Sequence, residues 1–253
     1  MPPPPELTRA IDYNRAGRLA EAATLYRAVL AAHPGAADAL HLLGVVAYQR
    51  RDFPTAERLI GRAIALAHGV AVQHANLGNV FYDQNRLPEA EAAYRQALIL
   101  APQLPPALYG LANALSRRSQ PSEAAELYRA AIAAQPNYAD AHNNLGKALQ
   151  ALGRTDDAVE AFRAALRHTP THARAQANLT AALADLKPPA PAPELNPLIA
   201  AAVTAVRSGD LERARLQAEA AVRRFPLSAE AHFTLGWALS ALIRHGPWQL
   251  PLQ

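Results

Sequence analysis

Residues 71–104 read AVQHANLGNVFYDQNRLPEAEAAYRQALILAPQL, and residues 139–172 read ADAHNNLGKALQALGRTDDAVEAFRAALRHTPTH. Set one above the other, they agree at Leu77-Gly78 and Leu145-Gly146, at Ala90 and Ala158, at Tyr94 and Phe162, and at the closing Pro102 and Pro170. Pro102, Pro136 and Pro170 are 34 residues apart, Pro34 lies two such steps before Pro102, and His68 fills the skipped slot. A fixed period of this size marks a stack of small identical folding units, each too small to bury its own apolar face.

The remaining copies follow the same register. Leu43-Gly44 and Leu111-Ala112 take the place of Leu77-Gly78, and Ala22, Ala56 and Ala124 precede Tyr26, Ile60 and Tyr128 by four residues. Within a unit, Leu77 and Phe81, then Ala90, Tyr94 and Ala97, recur at three- and four-residue spacing, which predicts two amphipathic helices. Small residues such as Gly78, Gly146 and Ala90 allow close helix approach, while Tyr94, Tyr128 and Phe162 fill the space between one unit and the next. Gly17, Asn85 and Gly153 stand where the first helix must end in a left-handed residue. The terminal proline stops the second helix because it lacks an amide donor and restricts the residue before it.

Leu-Gly, then Ala, then an aromatic residue four positions on, then Pro resembles the signature of the tetratricopeptide-repeat family. The resemblance implies an all-α fold, a right-handed superhelical solenoid of antiparallel helix pairs. Residues 1–187 are expected to form about five and a half units, the first degenerate: 3–36, 37–70, 71–104, 105–138, 139–172, and a sixth from Ala173. Residues 188–197, with Pro188, Pro189, Pro191 and Pro193, read as a stiff linker. Residues 198–243 read as a second short array, and 244–253 as an irregular tail that matches neither half of a repeat. Ending on apolar Phe233, Leu235 and Trp237, the chain looks truncated, which leaves open a further domain, a frame shift, or a tail folded back on that face. Self-association through these residues is a further expectation.

In the family the first helices line a concave groove, and its groove positions fall here on Asp38, His41, Tyr48, Gln49, Asn79, Tyr82, Asp83, Tyr109, Asn113, Ser116, Arg117, Asp140, Asn143, Lys147 and Gln150. Asn and Gln offer donors and acceptors to an extended backbone, and Tyr adds stiff contact area. Asn76, Asn144 and Asn178 recur at the sixth position and resemble the asparagine ladder of protein O-linked N-acetylglucosamine transferases, although Leu42 and Gly110 interrupt it. The chain thus reads as a non-catalytic scaffold for a protein or peptide ligand. The alternative is the substrate-recognition arm of a glycosyltransferase. The clamp by which related co-chaperones hold a C-terminal carboxylate is not expected, because Ala75, Asp140 and Asn144 occupy its slots.

Other chemistries find little to rest on. The absence of cysteine removes disulfides, thiolate metal sites and a thiol nucleophile. Arginines supply all the positive charge except Lys147 and Lys187 and are interspersed with carboxylates, as on a solvated helix face rather than a nucleic-acid surface. Met1 to Glu6 lacks the basic and apolar regions of a secretory signal, no stretch suits a membrane span, and a cytoplasmic location is expected. His168 and His172 are separated by Pro170, which destroys the one-face geometry of a helical metal pair. His74, His142 and His232 occupy a packing slot. No phosphate loop or nucleophile turn is present, so neither enzyme activity nor a cofactor is expected.

Overall fold

A computed structural model describes residues 5–185, 195–226 and 228–245, and every regular element among them is an α-helix. The chain divides into two compact units, Met1–Asp185 and Leu186–Gln253. The first contains α1 (Pro5–Arg15), α2 (Leu19–Ala32), α3 (Ala37–Gln49), α4 (Phe53–Leu66), α5 (Ala71–Asp83) and α6 (Leu87–Leu100), followed by α7 (Pro105–Arg117), α8 (Pro121–Ala134), α9 (Ala139–Ala151), α10 (Thr155–His168) and α11 (Ala173–Asp185). Each odd-numbered helix packs on the even-numbered helix that follows it, and that helix packs on the next odd one. The backbones of successive odd helices also approach each other closely, whereas among the described residues those of successive even helices do not. A stack whose first helices meet while its second helices splay apart must curve, with the odd helices on the inside.

The turn inside each pair repeats with the period. Gly17, Arg51, Asn85, Ser119 and Gly153 all have positive φ, between 60° and 74°. After each one the next amide bonds back five residues, as Asp52 N to Ala47 O and Gln120 N to Leu115 O, which is the Schellman closure of a helix end. Arg51 and Ser119 hold this conformation despite a Cβ, at a cost of about 1 kcal/mol each. Two residues beyond α2, α6, α8 and α10 stand Pro34, Pro102, Pro136 and Pro170, whereas after α4 the same place holds His68 and the chain turns at Gly69.

The core is rich in alanine, and the second helix of each pair sets one large residue at its centre: Tyr26, Ile60, Tyr94, Tyr128 and Phe162 are all fully buried. A methyl group added at Gly78 would lie 2.6 Å from the Tyr94 ring, and one at Gly110 would lie 2.4 Å from it. The small residues therefore admit an aromatic ring, and Tyr94 spans its own unit and the next.

The second unit contains α12 (Leu195–Arg207), α13 (Leu211–Arg224) and α14 (Ala229–His245), with Ala202, Ala205, Ala214, Ala218 and Ala238 in one cluster. Helix α12 begins inside the stretch expected to be a linker. Pro197 is its third residue, where an amide would have no intrahelical partner, so proline is tolerated. Helix α14 likewise runs two residues into the expected tail, to His245. Residues 188–194 and 246–253 of those two segments lie outside the described residues.

Candidate functional site

The residues assigned to a groove lie on the inner helices: His41, Tyr48 and Gln49 on α3, Asn76, Asn79, Tyr82 and Asp83 on α5, Tyr109, Asn113 and Arg117 on α7, Asn143, Asn144, Lys147 and Gln150 on α9, and Asn178 on α11. Their side chains divide into two groups. One group ties neighbouring inner helices together. Asn76 Nδ2 lies 2.8 Å from His41 Nε2, Asn144 Nδ2 donates to Tyr109 Oη at 3.1 Å, and Asn178 Nδ2 donates to Asn143 Oδ1 at 2.8 Å. Tyr48 Oη donates to Asp83 Oδ2 at 3.0 Å. In all four pairs the partners are 35 residues apart, one more than the period: the three asparagines join a sixth position to the fifth of the preceding unit, and Tyr48 joins a twelfth position to the thirteenth of the following one.

These bonds change the meaning of the recurring asparagines. Both donors of Asn144 are engaged, the second by Asn113 Oδ1 at 2.9 Å, and its Oδ1 accepts from Asn143. Asn143 itself is 3% exposed, a rung inside the wall rather than a surface group. Asn79 and Asn113 support the core as well, since their Oδ1 atoms accept from the buried Tyr94 and Tyr128 hydroxyls at 2.7 and 2.6 Å. Replacing either by alanine would leave a buried hydroxyl unpaired, at about 1–3 kcal/mol, so loss of binding in such a variant would not isolate a groove contact.

Burial also sets the protonation of this face. It lowers the pKa of His41, outweighing the nearby Asp38 carboxylate, so the ring is neutral and its Nε2 accepts from Asn76. Burial, reinforced by Asp83, pushes the Tyr48 hydroxyl up to about 12, and burial with the neighbouring Tyr109 does the same for Tyr138. These tyrosines are donors at neutral pH.

The second group remains open. Between α5, α7, α8 and α9 lies a pocket of about 130 Å³, walled by Tyr82, Ser116, Arg117 and Lys147 with Asn113, Asn144 and Tyr128 behind them. The Arg117 guanidinium sits 4.9 Å from the Tyr82 ring centroid and reaches the Tyr82 carbonyl at 3.4 Å. The Lys147 ammonium is exposed and pairs with no carboxylate among the described residues. Tyr138, absent from the sequence assignment, packs against Tyr109 with ring centroids 4.8 Å apart and the planes tilted by 35°, and extends the aromatic wall. Its signal was an aromatic residue closing a unit, where Ala36, Val70, Leu104 and His172 close the others.

The histidines serve local structure. His142 and His232, in the fourth position of their units, reach back with Nε2 to the carbonyls of Pro136 and Pro226, at 3.0 and 2.9 Å, and Gln176 Nε2 reaches Pro170 O at 3.4 Å. His232 is exposed rather than packed, because the bond to Pro226 lies at the surface. His168 stacks on His142 at 5.3 Å, and His172 Nε2 lies 3.1 Å from Asp140 Oδ1, so the two imidazoles considered as a metal pair are engaged separately. In the second unit Phe233 and Trp237 are 75% and 40% exposed, while Leu235 is partly buried against the alanine cluster. No helix among the described residues is long and apolar enough to cross a membrane.

Comparison with known proteins agrees with this architecture. The tetratricopeptide-repeat family model matches residues 7–71, 109–173 and 199–242, and a further repeat model of the same kind matches 78–119. The chain belongs to the tetratricopeptide-repeat family. Among solved structures it is similar to PilF of Pseudomonas aeruginosa, at 18% identity and a TM-score of 0.63 over 92% of this chain and 96% of that one. It is also similar to MamA, at 23% identity and a TM-score of 0.57 over 65% of this chain and 96% of that one. YrrB, described as a tetratricopeptide-repeat protein with an unusual peptide-binding site, is 21% identical with a TM-score of 0.55 over 68% of this chain and 89% of that one. No curated protein matches the sequence.

Proposed function

We propose that the chain is a non-catalytic protein-interaction scaffold that holds an extended peptide along the inner face of its first unit, centred on the pocket of Tyr82, Ser116, Arg117 and Lys147. The observation that carries this reading is that pocket: a concave, polar, aromatic-walled site of about 130 Å³ on the inner side of the curve. Lys147 and Arg117 supply cationic donors to peptide carbonyls or acidic side chains, and Tyr82 supplies a flat contact. The peptide-binding site named for YrrB supports the assignment of this kind of ligand. The recurring asparagines that suggested a transferase arm bond to adjacent helices, and they no longer favour that alternative.

Peptides selected from a displayed random library against the full chain provide the test. Lys147→Glu and Ser116→Trp, both at exposed positions, are expected to weaken the selected peptides by about tenfold or more while leaving the helical circular dichroism unchanged. Selected peptides that bind both variants as tightly as the parent chain would place the ligand elsewhere.

A further inference from the structure

A second opening lies on the same unit and shares no lining residue with the inner-face pocket. It occupies about 550 Å³ between α2, the end of α3 and α4. Its floor is apolar, formed by residues such as Leu43, Val46 and Leu59, and around it stand Arg27, Arg50 and Arg58. The one carboxylate at the opening is Asp52, which caps α4 by accepting from Thr55 N at 3.2 Å. None of the three arginines pairs with a carboxylate among the described residues, although other arginines of this chain, including Arg18, Arg86, Arg154 and Arg163, do so.

Two periods further on, the chain shows what belongs in such a place. Arg27 corresponds to Arg95 and Arg50 to Arg118, each 68 residues later. There the two guanidiniums converge on the carboxylate of Glu91, which is only 7% exposed, and Arg95 also reaches Glu123 at 3.5 Å. The residue equivalent to Glu91 in the first opening is Ala23, and that equivalent to Glu123 is Thr55. Both carboxylates have been replaced and both arginines kept. The Glu126 equivalent has become a third arginine, Arg58.

From this we propose that the opening bounded by Arg27, Arg50 and Arg58 is a binding site for a glutamate or aspartate side chain presented by an acidic segment of a partner protein. The partner's carboxylate takes the place that Glu91 fills from within the chain at the later junction. Three guanidiniums against Asp52 leave the site net positive, and their planar forks match a carboxylate in two-point contact. The apolar floor accepts the methylenes of the incoming side chain.

The test uses the full chain and a fluorescein-labelled hexaglutamate peptide, read by fluorescence anisotropy at low ionic strength, with inorganic phosphate as competitor. The parent chain is expected to bind. Ala23→Glu, which restores the internal carboxylate, and the exposed pair Arg27→Gln with Arg50→Gln are each expected to weaken binding by about tenfold or more. Arg163→Gln changes the net charge by the same amount as Ala23→Glu but lies on α10, and it is expected to leave binding unchanged. The proposal is overturned if the parent chain fails to bind the peptide or if the arginine pair variant binds as well as the parent. An equal loss in Arg163→Gln, or displacement by phosphate at the peptide's own concentration, overturns it too, since the first shows nonspecific attraction and the second a site for small free anions.

Discussion

Gln73 is fully buried in the third position of α5, and neither its Nε2 nor its Oε1 has a hydrogen-bond partner among the described residues. Helices α3, α7, α9 and α11 place alanine there, as Ala39, Ala107, Ala141 and Ala175. A buried amide without partners loses its hydration and gains nothing in return, at about 1–3 kcal/mol. Gln73→Met keeps the length of the side chain and removes both polar atoms, so it is expected to stabilise the fold by about 2 kcal/mol. Gln73→Ala removes the same atoms but also gives up the buried Cγ methylene, worth about 0.8 kcal/mol, and leaves a cavity where the amide stood, so it should leave stability close to the parent value. For an array of this size, 2 kcal/mol corresponds to a rise of about 4–8 °C in the unfolding midpoint. Thermal unfolding followed by circular dichroism checks both the sign and the order, with methionine above alanine and alanine near glutamine. A methionine variant that melts below the parent would show that the amide is satisfied and would refute the reasoning.

Two more predictions concern the turns and the histidines. Ser119→Gly and Arg51→Gly relieve a left-handed Cβ residue, and after allowing for the greater freedom of glycine in the unfolded chain each should stabilise by about 0.5–1 kcal/mol; urea unfolding of the double variant reads the sum. Burial lowers the folded-state pKa of His41, His74 and His142, so their contribution is fully present above the unfolded value near 6.5 and is lost as pH falls through the lowered values. The unfolding midpoint should therefore fall between pH 7 and pH 5, and His41→Gln should flatten part of that slope; an unchanged midpoint over this range counts against it.

What the sequence disclosed depended on whether a residue acts within its own unit. The Ala90-to-Tyr94 spacing, the Gly17, Asn85 and Gly153 turns and the Pro102-type stops are local requirements, and residue type alone reveals them. Arg51 and Ser119 adopt the same turn against their own preference, because the packed helices on either side fix it, and nothing in either residue announces this. The inner face was legible as a set of positions, yet its division into rungs and open groups was not. Asn144 and Lys147 are one helical turn apart, but only Asn144 reaches the preceding helix, and that depends on an offset between stacked units that composition does not record. The arginine-lined opening was within reach of the sequence, since comparing Ala23 with Glu91 and Arg50 with Arg118 in register exposes the missing carboxylate.

The rungs along the inner helices also have a mechanical consequence. When a coiled array is pulled straight, its inner edge lengthens most, so the side-chain bonds there carry the tension. They join α3 to α5, α7 to α9 and α9 to α11, but the rung position on α7 is Gly110, and among the described residues the side-chain hydrogen bond from α7 to α5 is that of Arg117 to the Tyr82 carbonyl at 3.4 Å, with the guanidinium lying over the Tyr82 ring. On the outer side of the same junction, Glu91 and Glu123 of α6 and α8 are braced by Arg95 and Arg118. At the Gly110 junction the inner edge is therefore held by the close approach of α5 and α7 and by the Tyr94 ring against Gly110 rather than by an asparagine rung, and tension there would fall on the walls of the pocket of Tyr82 and Lys147.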